Sequence, residues 1–122
     1  MGLNMANPAS GSDVRTVRSV GFLLLNNFTM ISLASAVEAL RMANQLSGEQ
    51  LYEWHTLTLD GEPVSASDGI KITPDAGALD DLGLDTVIVC GGVNVAKSYD
   101  KTHISWLKEM DRKGCNLGGI CT

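Results

Sequence analysis

What this sequence has little of narrows it first. Positive charge is scarce: nine Lys and Arg stand against fourteen Asp and Glu, a formal net charge of −5 over 122 residues. No local cluster of Lys or Arg offsets this balance. Neutralising phosphates needs a basic surface, so the chain alone is excluded as a nucleic-acid binder. Any contact with DNA has to come from another part of a longer polypeptide. No stretch approaches the ~18 consecutive apolar residues that a membrane-spanning helix requires. The start has no basic segment followed by an apolar run, which excludes a secretory signal. Three cysteines, Cys90, Cys115 and Cys121, form neither a disulfide framework nor a metal-ligand spacing. Such an odd, sparse set fits a reducing cytoplasm, and no metal or cofactor site is expected.

What is present points to one layered domain. Residues 1–15, rich in Asn, Ser and Gly, read as a disordered tail without apolar periodicity. Arg18 to Leu25 is a nearly continuous apolar run, the pattern of a strand buried on both faces. Thr29 is placed to cap a helix over Met30 to Leu46, with Met30, Leu33, Ala34, Val37, Leu40 and Ala43 inward and Gly48 at its exit. Tyr52 to Asp60 alternates as a strand. The pair Asp68-Gly69 then predicts a hairpin between Pro63-Val64-Ser65-Ala66-Ser67 and Ile70-Lys71-Ile72-Thr73. Pro74 to Leu84 reads as a loop with one helical turn.

Asp85 to Gly92 is the clearest buried strand. A helix follows, capped by Ser98 or Asp100, with Ile104, Leu107 and Met110 inward, Trp106 alongside, and Gly114 at its end. Cys115 to Cys121 reads as the last strand. This order of elements gives an α/β fold with a parallel core.

The chemistry gathers at the end of that last strand. Gly118-Gly119-Ile120-Cys121-Thr122 brings a cysteine to a place where a strand would turn sharply into a helix, the geometry of a nucleophile elbow. Cys121 is then a reactive or ligand-binding thiol at the carboxyl end of the sheet, or simply a small apolar residue. The amides of Gly91-Gly92, with that of Thr122, can point at an anion beside the sulfur, or Gly91-Gly92 can be a plain turn. Glu38 can face the thiol or pair with Arg41 one helical turn on. His55 and His103 are not placed beside Cys121 by sequence. Cys90 and Cys115 read as core residues, and Trp54 and Trp106 as packing.

Two groups of residues carry a family resemblance. Val87-Ile88-Val89-Cys90-Gly91-Gly92, followed by a helix and Gly119-Ile120-Cys121-Thr122, resembles the PfpI/ThiJ superfamily, the class I glutamine amidotransferase-like fold. Val20-Gly21-Phe22-Leu23-Leu24-Leu25-Asn26-Asn27-Phe28-Thr29 and Ser35-Ala36-Val37-Glu38-Ala39-Leu40-Arg41-Met42-Ala43-Asn44 are similar to the sensor domain of AraC/XylS-family transcriptional regulators of the GlxA type. Trp54-His55-Thr56-Leu57 and Ala66-Ser67-Asp68-Gly69 look like the same group, in particular its regulators that respond to glycine betaine and carnitine.

The resemblance implies a flavodoxin-like parallel sheet between helices, with a β-hairpin insertion. Residues 16–122 would be the N-terminal part of the sensor domain, with its remainder and a helix-turn-helix domain outside this chain. It also implies a cytoplasmic homodimer bound to a small effector. The superfamily's enzymes match at Cys121 as nucleophile and at Gly92 and Thr122 as oxyanion donors. They hold the thiol with an Asp or Glu in the first helix, where this chain has Ser32. Their histidine follows the cysteine, beyond Thr122. A hydroxyl is no anionic partner for thiol chemistry, so the expectation is a ligand sensor using Cys121, Gly92, Thr122, Ser32 and Glu38. The alternative is a cysteine-dependent hydrolase or lyase.

Overall fold

The computed structural model describes residues 17–121, so the expected tail over residues 1–15 and the site residue Thr122 lie outside the described part. The elements in chain order are β1 (Arg18–Leu24), α1 (Met30–Ser47), β2 (Tyr52–Thr58), β3 (Val64–Ser65), β4 (Lys71–Ile72), β5 (Ala76–Gly77), β6 (Thr86–Cys90), α2 (Lys101–Arg112) and β7 (Asn116–Ile120). A 3-10 turn, Val95–Lys97, lies between β6 and α2.

Five strands form one sheet in the order β5-β2-β1-β6-β7. All its pairings are parallel, with Phe22 of β1 opposite Thr56 on one side and Ile88 on the other. The continuous apolar run of β1 follows from this central place, because both of its faces are covered. Val20, Phe22 and Leu24 pack with Phe28, Leu33, Val37 and Leu40 on the α1 side. Leu23 and Leu25 pack with Leu57, Val87, Trp106, Leu107 and Met110 on the α2 side. From β1 the chain moves outward to β2, and from β6 it moves outward the opposite way to β7. Crossovers of one hand then put α1 and α2 on opposite faces. The strand order reverses between β1 and β6, the place where open α/β sheets bind ligands at their carboxyl ends.

The hairpin forms as Asp68-Gly69 predicts. β3 and β4 pair antiparallel, Val64 with Ile72 and Ser65 with Lys71, and Gly69 takes a φ of +88°. Gly48 closes α1 at a φ of +74°, its amide donating to the Asn44 carbonyl. Asp100 caps α2, accepting from the amides of Thr102 and His103.

Three expectations are corrected. Pro74 to Leu84 contains no helical turn; instead β5 pairs with β2, Leu57 with Ala76 and Thr58 with Gly77. Asp75 explains this, since its carboxylate accepts from the Thr56 amide (2.8 Å) while its own amide donates to the Thr56 carbonyl (2.9 Å). These bonds hold the segment extended along the edge of β2. Ile104 faces solvent, because Trp106, Leu107 and Met110 already fill the side of α2 that meets the sheet. Ala34 is exposed too, and Ala36 takes the inward place beside Val37 and Leu40.

Candidate functional site

The carboxyl ends of β1 and β6 are stitched together by the loop between β1 and α1. Leu25 donates to the Cys90 carbonyl (3.1 Å), and Thr29 donates to the Gly91 carbonyl (3.0 Å). Asn27 turns the chain in the left-handed region, at φ +65°. That turn drives Phe28, which is fully buried, between Ala66 of the hairpin and Gly92. The main chain at Phe28 therefore bridges to both Ala66 and Gly92 at the switch point, while its side chain joins the core with Phe22 and Leu33.

Gly92 is required by this packing. A Cβ on it would lie 2.3 Å from the Asn27 carbonyl oxygen and 2.8 Å from Thr29 Oγ1. The preceding glycine faces the other way. Gly91 donates to the Ile120 carbonyl (2.9 Å), and its Cβ position is 3.9 Å from Cys121 Sγ. The diglycine does stand beside the terminal thiol, but Gly91 is the residue that touches it. Gly92 is spent on the loop of residues 27–29.

Cys121 opens into a depression of about 630 Å³ lined by Ile31, Ser32, Ser35, Ala36, Gly119, Ile120 and Cys121 itself. The depression is broad and open to solvent rather than an enclosed cavity. One wall is the first turn and a half of α1, where residues 31, 32, 35 and 36 share a face through their helical spacing. The other wall is the end of β7, where Gly119 carries no side chain. The structure thus brings Ser32 and Cys121 together. It adds Ser35, Ala36 and Ile31, which sequence reasoning did not single out although their spacing from Ser32 held the signal.

The remaining candidates lie elsewhere. Glu38 is exposed and accepts from Arg41 Nε (2.9 Å) and Nη2 (2.7 Å). The Arg41 hydrogen bonds hold its carboxyl below the usual range. It does not line the depression. His55 sits 3.7 Å from Glu53, and His103 bonds to Asp100 at the start of α2. Neither histidine lines the depression either.

The three thiols divide sharply. Cys90 is buried, which pushes it up to about 12. Cys115 is also raised, by burial first and then by the charge of Asp85. Cys121 is the exposed one. Among the described residues no cluster of three or more His, Cys, Asp or Glu is placed to hold a metal. No described helix is long and apolar enough to cross a membrane.

No family model matches the chain. Among curated proteins it is 59% identical over 108 residues to the HTH-type transcriptional regulator GbdR of Pseudomonas aeruginosa, covering 88% of this chain and 29% of that protein. It is 37% identical over 114 residues to the HTH-type transcriptional regulator GlxA of Rhizobium meliloti, covering 92% of this chain and 35% of that protein. The chain therefore spans about a third or less of the length of these relatives. Among solved structures it is similar to an AraC family transcriptional regulator from Pseudomonas putida, with TM-score 0.72, 29% identity, and coverage of 84% of this chain and 55% of that one. A DJ-1 superfamily protein from Agrobacterium tumefaciens superposes with TM-score 0.68 at 25% identity, covering 86% of this chain and 54% of that one. By sequence the chain is similar to part of the HTH-type regulators GbdR and GlxA, and its fold is the flavodoxin-like one of the DJ-1 and ThiJ/PfpI proteins.

Proposed function

We propose that this chain is part of the effector-sensing region of an AraC-type transcriptional regulator. Residues 16–122 form the N-terminal portion of that region. DNA is contacted by a helix-turn-helix domain outside the chain, and the net charge of −5 accords with that division. The protein acts in the cytoplasm as a homodimer. A small metabolite, an amino acid or a quaternary amine, occupies the depression between α1 and the end of β7. Ser32, Ser35 and Cys121 offer it polar contacts.

One observation carries the preference for binding over catalysis. Ser32 stands on the same lining as Cys121, at the position where the superfamily's enzymes carry the Asp or Glu that holds the thiol. A cysteine nucleophile works as a thiolate, which needs a base or a positive neighbour. Glu38, the acid proposed from sequence, is engaged with Arg41. Effector binding shifts a regulator only through differential affinity for its two states.

The test is a thermal-shift titration with glycine betaine, carnitine and a panel of amino acids, using the full-length regulator and its Ser32→Trp variant. A rise in Tm with one compound that vanishes in Ser32→Trp is expected. No shift with any of them overturns the sensor reading. Turnover of a carbonyl compound that is lost on Cys121→Ser would instead establish the enzyme.

A further inference from the structure

A second hollow lies at the other end of the sheet from Cys121. It is a cleft of about 450 Å³ between α2 and the loop of residues 78–84, more enclosed than the Cys121 depression. Its helix wall is Trp106, Glu109, Met110 and Lys113, spaced so that they share one face of α2. Its other wall is the loop that leads towards β6, which turns at Gly83 with a φ of +64°. Buried Cys115, just before β7, lies on the lining as well.

The lining divides by chemistry. Leu82, Leu84, Trp106 and Met110 pack against the core of Leu57, Val87 and Cys115 but stay only half-buried, so the cleft has an apolar floor. An indole in that floor suits a cation, because the face of the ring attracts positive charge. The charged groups are Asp80 and Asp81 from the loop and Glu109 and Lys113 from the helix, so carboxylates stand on both walls and outnumber the amine. Asp80 also accepts from the Gly77 amide (3.0 Å) and Glu109 also pairs with Arg112, whereas Asp81 has no such partner among the described residues. The end of α2 adds the partial negative charge of a helix C-terminus. Cavity and indole make the site; the carboxylates select the charge.

We propose that this cleft binds a small organic cation, an ammonium group on a compact apolar body. The apolar body lies on Trp106, Met110, Leu82 and Leu84, and the ammonium sits at the rim between Asp81 and Glu109. Such a guest ties the loop of residues 78–84 to the C-terminal half of α2. A neutral or anionic molecule of the same shape gains the floor and loses the rim. The two hollows share no lining residue, so this site stands whether or not the Cys121 depression holds an effector.

Isothermal titration calorimetry of the full-length regulator with phenethylammonium, 2-phenylethanol and phenylacetate tests it. Phenethylammonium should bind with a Kd of about 1 mM or tighter, and the alcohol and the carboxylate at least about tenfold more weakly. Asp81→Lys should weaken the cation on the order of tenfold and Lys113→Glu should tighten it by a factor of about three or more, since each reverses a charge at the rim. Both side chains are exposed, so the fold should persist, with circular dichroism as the check. Ser32→Trp should leave the affinity unchanged. No heat from the cation up to roughly 10 mM overturns the proposal, as does an alcohol that binds as tightly. An affinity indifferent to both rim variants overturns it, and so does binding lost in Ser32→Trp, which would place the cation in the Cys121 depression. Should Asp81→Lys fail to fold, Lys113→Glu decides alone, and an unchanged affinity there overturns the site.

Discussion

Asp85 and Ser19 grip each other at the amino ends of the two innermost strands. The Ser19 amide donates to Asp85 Oδ2 at 2.8 Å, and the Asp85 amide donates to the Ser19 carbonyl at 2.9 Å. This two-bond clamp fixes the register of β1 against β6, and so fixes which residues reach the carboxyl ends together. Asp85→Ala removes the acceptor of a buried amide and should cost about 1–3 kcal/mol, measured by urea unfolding. Ser19 adds a contrasting case. Its hydroxyl oxygen is buried without a hydrogen-bond partner, so Ser19→Ala should be neutral or stabilising by a few tenths to about 1 kcal/mol. A large loss in that variant would contradict the assignment.

Asn44 joins the end of α1 to the start of β2 with its whole side-chain amide. Its Oδ1 accepts from the amides of Leu51 (2.8 Å) and Tyr52 (3.0 Å), and its Nδ2 donates to the Tyr52 carbonyl (2.9 Å). Asn44→Ala should lower stability by about 2–3 kcal/mol, since half-buried main-chain groups lose partners. Asn44→Asp keeps the acceptor but sets a carboxylate oxygen against the Tyr52 carbonyl, so it should lose stability as well. Chemical denaturation of all three proteins orders them.

Gly91 and Gly92 look alike in sequence and should behave differently. Gly92→Ala drives a methyl into the Asn27 carbonyl, which is main chain and has little room to move. Gly91→Ala meets Val95 Cγ2 at 2.8 Å, the tip of a side chain on an exposed turn that can rotate away. The expected loss is several-fold larger for Gly92→Ala, on the order of 3 kcal/mol or more against about 1. Equal Tm values for the two variants would contradict the packing at the switch point.

Acid should loosen α2 from its beginning. The Asp100 carboxyl is held below its ordinary range, chiefly by its hydrogen bond with the His103 side chain and then by the amides of His103 and Thr102. A folded-state value below the unfolded one means that the native form resists protonation. The capping contribution is therefore complete above the unfolded value of about 3.9 and is lost as pH falls through the lower, folded one. Amide shifts of Thr102 and His103 followed by NMR below pH 5 should report that midpoint, and Asp100→Ala should abolish it.

The thiols supply a direct assay of burial. With iodoacetamide at neutral pH, the folded chain should take one label, at Cys121, because Cys90 and Cys115 are buried and held protonated. In denaturant it should take three. Rapid labelling of Cys90 in the folded chain would show that β6 is not interior.

Much of this architecture was legible from periodicity and punctuation. The two-sided burial of β1, the Asp68-Gly69 hairpin and the capping roles of Asp100, Gly48 and Gly114 each express a local rule that the tertiary structure does not override. The misreadings share a cause. β5 is two residues long, too short for a pattern, and exists because Asp75 bonds to a strand nineteen residues earlier. Ile104 has helical spacing with Leu107, but the sheet offers α2 only as much surface as Trp106, Leu107 and Met110 cover. Ser32 and Cys121 could be matched through the family resemblance, whereas their wall-mates Ile31 and Ser35 could not. Which glycine meets the sulfur depended on Phe28 claiming the other, a contact between distant segments.

The central position of β1 also governs how the chain must assemble. Each ladder of the large sheet joins segments separated by a helix, a hairpin or more, with Val20 waiting for Thr86 and Val87 for Leu117. Loop closure has to precede any reward from such pairings, so refolding should be slow for a chain of this length, in the range of milliseconds to seconds. Because α1 and β2 both build on the central strand β1, substitutions at their shared contacts, such as Leu33→Ala, should slow refolding. Truncations in α2, such as Leu107→Ala, should chiefly hasten unfolding.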